Sequence, residues 1–159
     1  MNTALLKEIL IRQLGKSEAI PYELLLDADP SIAAIEKYLG NSENYVAVLK
    51  GKVIAIVALY LLNKDTFEIK NIAVEERFQG NGIGKLLLRT VTQIATDKGA
   101  KDIIIGTSNS SIGQLYLYQR NGFEITDIRF NFFLDNYREP IFENGIQCRH
   151  MIMLKKKLQ

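Results

Sequence analysis

The chain has 159 residues, 47% of them hydrophobic and 24% charged, and carries a formal net charge of +2. That balance suits one compact domain over residues 1–159, with a full core. It is too weakly basic to argue for nucleic acid, and no apolar run approaches the ~20 residues of a membrane helix.

Cys148 is the only cysteine, so no internal disulfide can form. Cys148 and His150 alternate around Arg149, which would set both on one face of a strand. Two candidate ligands without partners do not make a metal site, and no metal is expected. Lys7, Glu8 and Arg12 interrupt the N-terminal apolar stretches, leaving no signal-peptide core. The expected setting is the cytoplasm.

Ile9 to Leu14 reads as a first strand. Ser17 is placed to cap a helix running towards Leu26, with Pro21 tolerated in its first turn. After Asp29-Pro30-Ser31, the residues Ile32, Ile35 and Leu39 recur at helical spacing up to Gly40-Asn41. Tyr45 to Lys50 and Val53 to Leu62 are apolar and β-branched around Gly51-Lys52, a hairpin signal. Phe67 to Val74 makes a third strand of this meander. From Gly84 to Lys98 the period changes: Leu87, Leu88, Val91, Ile94 and Ala95 form one helical stripe, closed by Gly99. Asp102 to Gly106 is a short strand, Ile112 to Arg120 a helix, and Phe123 to Phe130 another strand. Asn144-Gly145 would turn the chain into a last strand from Ile146 to Leu154, whose solvated end is Lys155-Lys156-Lys157. The fold class is α+β, a mixed sheet with helices on its faces.

The most informative stretch is Arg77-Phe78-Gln79-Gly80-Asn81-Gly82-Ile83-Gly84, between a strand and the long amphipathic helix. Its glycines let backbone approach a ligand closely, and the following helix opens with unpaired N–H groups and the positive end of its dipole. Together they suit a pyrophosphate. Two nucleotide motifs fail here. The phosphate-loop pattern needs glycine at Gln79 and Ser or Thr at Leu86, and the dinucleotide fingerprint needs a glycine at Lys85.

The loop does fit the Q/R-x-x-G-x-G/A signature of the Gcn5-related N-acetyltransferases (GNAT), read as Gln79, Gly82 and Gly84. Glu68-Ile69-Lys70-Asn71-Ile72-Ala73-Val74 looks like that family's fourth strand, and Leu117-Tyr118-Gln119-Arg120-Asn121-Gly122-Phe123 is similar to its "LYEKLGF" segment. The element order matches as well, so the chain resembles the family over nearly its whole length, most closely its Bacillus-type members. The resemblance implies a three-layer α/β/α fold. Its mostly antiparallel sheet would have six to seven strands, splayed between the fourth and fifth, with about four helices.

It also implies acetyl-CoA as co-substrate, with the pyrophosphate held by loop amides from Gln79, Gly80, Asn81, Gly82, Ile83 and Gly84 to Lys85. Arg77 would add charge to the phosphates, and Ile72, Ala73 and Val74 would line the pantetheine arm, Ile72 and Val74 pairing with it through their backbone. An asparagine often bonds that arm before the last helix. Asn109 and Ser111 stand there, with Ser110 or Ser111 available as the helix cap. Members are often homodimers, though no segment here specifies an interface.

Acetyl transfer to an amine needs an amine without its extra proton, donors for the negative charge growing on the carbonyl oxygen, and a proton for the departing thiolate. By the resemblance, Tyr118 takes the general-acid position near the CoA sulfur, and the oxyanion donor is a fourth-strand N–H such as that of Val74. Glu68, four residues before Ile72, has the spacing of the catalytic glutamate in the histone-acetylating branch. Strand alternation puts it on the face of Lys70, Ile72 and Val74. A surface glutamate paired with Lys70 is the alternative reading, and Lys70 would weaken it as a base.

The acceptor is expected to be the primary amine of a small molecule. A protein N-terminus or lysine, or a weakly catalytic CoA-binding sensor, are the alternatives, and Tyr118 speaks against the last. Glu23, Asp27, Asp29 and Glu36 would suit a cationic acceptor. Asn131 to Asn144 combines weak strand periodicity with clustered aromatics and acids, and in the family this segment often walls the acceptor side. Asp135 and Tyr137 are therefore the candidate substrate-binding residues.

Overall fold

The apolar, β-branched runs in the first half of the chain pair as a meander, as their alternation and turn signals dictate. The computed structural model, which describes residues 2–159, contains β1 (Leu10–Gln13), β2 (Ser42–Leu49), β3 (Lys52–Asn63) and β4 (Thr66–Val74), each antiparallel to the next. β5 (Asp102–Ser108) follows, then β6 (Glu124–Arg129), β7 (Phe142–Glu143), β8 (Ile146–Gln147) and β9 (Met151–Lys157). The main sheet has seven strands in the order β1-β2-β3-β4-β5-β9-β6. Its one parallel pair is β4 with β5. That pair requires a crossover, supplied by α4 (Ile83–Asp97).

Helices cover both faces. On one, α4 and α5 (Ile112–Arg120) bury Leu87, Leu88, Val91 and Tyr118 against Val57, Leu59, Ile69 and Ile105. On the other, α2 (Tyr22–Ala28) and α3 (Ile32–Leu39) bury Leu25, Ile35 and Leu39 against Val46, Ile56, Ala58 and Ala73. This is the three-layer arrangement expected. Two shorter helices, α1 (Thr3–Glu8) and α6 (Phe132–Asn136), complete it.

Two irregularities shape the centre. The parallel pairing runs from Thr66↔Asp102 to Ile69↔Ile105 and stops, so the strands part beyond it. β5 continues instead along β9 as far as Ser108↔Met151. In β4, Asn71 faces Ala58 but Ile69 faces Leu59, so Lys70 is an extra, bulged residue. A one-residue bulge reverses the alternation on either side of it. Glu68 stands opposite Tyr60 on the α2/α3 face, whereas Ile72 stands opposite Val57 and packs with Val74 on the α4/α5 face. The expectation that Glu68 shares a face with Ile72 and Val74 is therefore corrected, and only Lys70 remains beside it.

Three further expectations change. Ser17 caps no helix: α2 begins at Tyr22 behind Pro21. A proline turns its predecessor away from helical angles, and Glu18 closes a loop by accepting from Arg12 and from the Gly15 N–H. Helix α1 has no counterpart in the sequence reading, although Asn2 caps it by accepting from the Leu5 N–H. The last strand is broken at 148–150, because the Asn109 side chain accepts from the N–H groups of Arg149 and His150 and draws them out of the ladder. Cys148 and His150 thus lie outside any strand. The Asn144-Gly145 turn is present, both residues at positive φ, but it closes the small hairpin β7–β8.

Candidate active site

Between β4 and α4 the chain makes a short 3₁₀ turn, Glu76–Phe78, and then the glycine loop. Its own side chains brace it: Gln79 Nε2 donates to the Val74 carbonyl, and Asn81 Nδ2 to those of Phe78 and Gln79. The first backbone bond beyond the Gln79 N–H is Leu86 N–H to the Gly82 carbonyl, which leaves the amides of residues 80 to 85 without a backbone partner. Gly80 and Gly82 have φ of 74° and 89°, angles that a side chain would strain. Unpaired amides at the start of a 15-residue helix fit a pyrophosphate. Arg77 is engaged elsewhere, ion-paired to Glu75 and stacked on Phe78. Lys85 lies in the first turn of α4.

The open edge of β4 adjoins this loop. The Glu75 N–H donates to the Ile54 carbonyl, so by alternation Ala73 directs its backbone to β3, while Ile72 and Val74 direct theirs into the gap that β5 has left. The Val74 carbonyl is taken by Gln79, and its N–H is the group facing the gap. An extended arm laid here meets an unpaired strand edge, which fits pantetheine.

Tyr118 is 3% exposed and packs in the core of the α4/α5 face, with the Phe123 ring 6.2 Å away. Burial pushes its pKa up, and the nearby Glu143 carboxylate adds to the rise, so the phenol keeps its proton at neutral pH. Tyr116, two positions earlier and so on another side of the helix, is exposed to solvent. Asn109 donates to the Gln147 carbonyl as well as bracing residues 149–150. Ser111 occupies the N-cap of α5 without a side-chain cap bond and donates to Glu143 Oε2. Both therefore hold the β7–β8 hairpin region against α5.

A cleft of about 410 Å³ opens on the other face, where the β4–β5 pair ends. Its floor includes Glu68, Ile69 and Lys70 of β4 and Gly106 of β5, and a Cβ at Gly106 would fall 2.6 Å from Met151 Sδ. Glu68 Oε2 lies 2.9 Å from Lys70 Nζ. The wall comes from α3, from Arg129 at the end of β6, and from the segment after it. Tyr137 lines the cleft and donates to Asp29 Oδ1 at 2.8 Å. Burial raises the Asp29 pKa, with the Tyr137 and Ser31 hydrogen bonds opposing the rise. Asp135 is exposed and outside the cleft, since the one turn of α6 carries it away from Tyr137. Of the four acids expected to attract a cation, Glu23, Asp27 and Glu36 lie elsewhere and Asp29 alone lines the cleft. Lys37, Tyr38 and Arg129 line it too, and sequence reading missed them because they come from α3 and β6, far apart in the chain. Among the described residues no cluster of His, Cys, Asp or Glu could hold a metal, and no helix is long and apolar enough to cross a membrane.

A family model described as "Acetyltransferase (GNAT) family" matches residues 5–123. The uncharacterized N-acetyltransferase YvbK of Bacillus subtilis (strain 168) is 47% identical over 133 residues, 84% of this chain and 86% of that protein. Human N-acetyltransferase 8B is 33% identical over 91 residues, and the chain spans 40% of its length. Among solved structures, a GNAT family acetyltransferase from Elizabethkingia anophelis with acetyl-CoA bound superposes with a TM-score of 0.93 at 52% identity, covering 95% of this chain and 99% of that one. An IAA acetyltransferase from Bacillus cereus ATCC 14579 gives 0.90 at 47% identity, covering 94% and 99%. The chain belongs to the GNAT acetyltransferase family and is an acyl-CoA-dependent N-acetyltransferase, with acetyl-CoA as its co-substrate.

Proposed function

We propose that the acceptor is the primary amine of a small molecule, whose nitrogen attacks the thioester directly while Tyr118 and Glu68 handle the protons. The observation that carries this reading is the hydrogen bond from Tyr137 to Asp29, which joins residues 108 positions apart across the acceptor side. It ties the segment after β6 to the end of α2, and both residues line the cleft. A polypeptide running through the site would need a groove open at both ends, and only a free terminus or a lysine side chain could enter end-on.

Acetyl-CoA supplies an activated acyl carbon and a thiolate leaving group. The chain's residues do the rest. Loop amides from Gly80 to Lys85, with Gln79 and Asn81 bracing the loop, hold the pyrophosphate, and Lys85 adds positive charge. The Val74 N–H donates to the carbonyl oxygen as its charge grows. Glu68, on the acceptor face, takes the proton of the incoming ammonium, and Lys70 keeps the carboxylate in place. The amine nitrogen then forms the C–N bond as the C–S bond breaks, Tyr118 gives its proton to the sulfur from the opposite face, and the second proton leaving the nitrogen restores the Tyr118 phenol, directly or through solvent. A reducing cytoplasm is the proposed compartment, for the one cysteine, Cys148, is free and buried.

A screen of small amines and short peptides with acetyl-CoA, following thiol release, tests this reading. Turnover with small amines is the expected result. Acetylation confined to peptides would reverse the assignment.

A further inference from the structure

The polar groups of the acceptor cleft are unequally committed. Its two carboxylates are engaged within the protein. Glu68 is ion-paired with Lys70, whose ammonium also lies 5.4 Å from the Tyr60 ring centroid. Asp29 Oδ1 accepts from both the Tyr137 hydroxyl and the Ser31 N–H. The donors are not engaged in this way. Neither Lys37 nor Arg129 enters an ion pair with any described residue.

Tyr38 adds a third donor. Asn71 is 4% exposed, and its Nδ2 donates both to the Leu25 carbonyl and to the Tyr38 oxygen, each at 3.0 Å. The Leu25 carbonyl can only accept, so it fixes which end of the amide points that way and leaves Asn71 Oδ1 buried without a partner. The Tyr38 oxygen is thus an acceptor in this contact, and its own proton remains available. Burial raises the pKa of this hydroxyl to about 12, so the proton is retained at any physiological pH.

The cleft thus sets two exposed cations and a hydroxyl, none with a carboxylate partner, beside carboxylates that each already hold a donor. From this imbalance we propose that the amine substrate also carries an anionic group, a carboxylate or a phosphate, received by Lys37, Arg129 and the Tyr38 hydroxyl. The amine end reaches Glu68 at the mouth of the splayed strands, and the anionic end lies towards α3 and the end of β6. A polycation such as a polyamine would bring positive charge against two cations that no carboxylate pairs with, which opposes binding. This inference rests on the small-amine reading and narrows it.

The test pairs amines that differ only in charge: an amino acid with its carboxamide, an aminoalkyl phosphate with its amino alcohol, and a polyamine beside them. Each is assayed by thiol release. The anionic member of a pair should exceed its neutral partner in kcat/KM by about tenfold or more, the range of a charge-assisted hydrogen bond. Whether carboxylate or phosphate gains more identifies the anion. Arg129→Gln and Lys37→Gln, checked for folding by circular dichroism, should raise KM for the anionic amine and shrink that advantage. KM for acetyl-CoA should stay unchanged, and the neutral amine should lose less than the anionic one. Equal or better use of neutral or polycationic amines would overturn the anionic proposal and leave the small-amine reading standing. Turnover of peptides alone, with acetyl-CoA still bound, would overturn both.

Discussion

The two sides of the splayed gap are built in different ways. On the cofactor side, the edge of β4, the glycine loop and the start of α4 are contiguous, and Tyr118 follows on the next helix but one strand along. On the acceptor side, Asp29, Lys37, Glu68, Arg129 and Tyr137 come from five separate elements or loops. The first, on our proposal, is a backbone site, in which amides and a strand edge take groups that every acyl-CoA shares. The second is a side-chain site, in which long-range packing sets the spacing of charges. Recognition of an invariant ligand can be written as a local motif, whereas recognition of a variable one is assembled by tertiary contacts.

The largest expected effect falls on the cofactor side. Tyr118→Phe keeps the buried ring and loses the proton donor, so kcat should drop roughly 10- to 1,000-fold while acetyl-CoA still binds. In the parent enzyme, a phenol whose pKa is raised by burial stays protonated, so the rate should climb with pH as the amine loses its proton. A falling limb at pH ~10 that vanishes in Tyr118→Phe would assign that residue an ordinary, solvated pKa instead.

Gly82→Val comes next. A β-branched residue at φ 89° must shift the loop, and acetyl-CoA should weaken by at least about tenfold, or 1.4 kcal/mol. Calorimetry giving unchanged affinity in a folded variant would break the idea of a backbone site.

Glu68→Gln crosses from one side to the other. Turnover should fall on the order of tenfold at neutral pH and recover partly in alkali, where free amine is more abundant. An equal loss at every pH would make Glu68 a partner of Lys70 and nothing more.

The smallest effects separate two neighbours. Tyr137→Phe removes the hydrogen bond to Asp29, so KM for the amine should rise roughly threefold and stability fall by about 1 kcal/mol, with KM for acetyl-CoA unchanged. Asp135→Asn, at an exposed position outside the cleft, should change neither. If Asp135→Asn raised the amine KM instead, the acceptor would lie farther along the segment after β6.

Much of this could be read directly along the chain. Hydrophobic period and turn residues give the meander, α4, α5 and their order, because each depends on neighbours within a few positions. The loop from Gln79 to Gly84 and the segment around Tyr118 are legible for the same reason. The Lys70 bulge was not, since an extra residue on one strand is defined only by the strand opposite it, and it moved Glu68 to the far face. The break at 148–150 was hidden likewise, for it depends on Asn109, some 40 positions away. Local spacing also paired Asp135 with Tyr137, which a single turn of helix then separated. The sequence by itself thus determined the architecture and a loop suited to a pyrophosphate, which rest on short-range patterns and backbone geometry, while acetyl-CoA followed from the resemblance to the family. Only the tertiary structure decided which charges meet in the acceptor cleft, because Lys37, Tyr38 and Arg129 are brought together by packing of the sheet and share no local pattern.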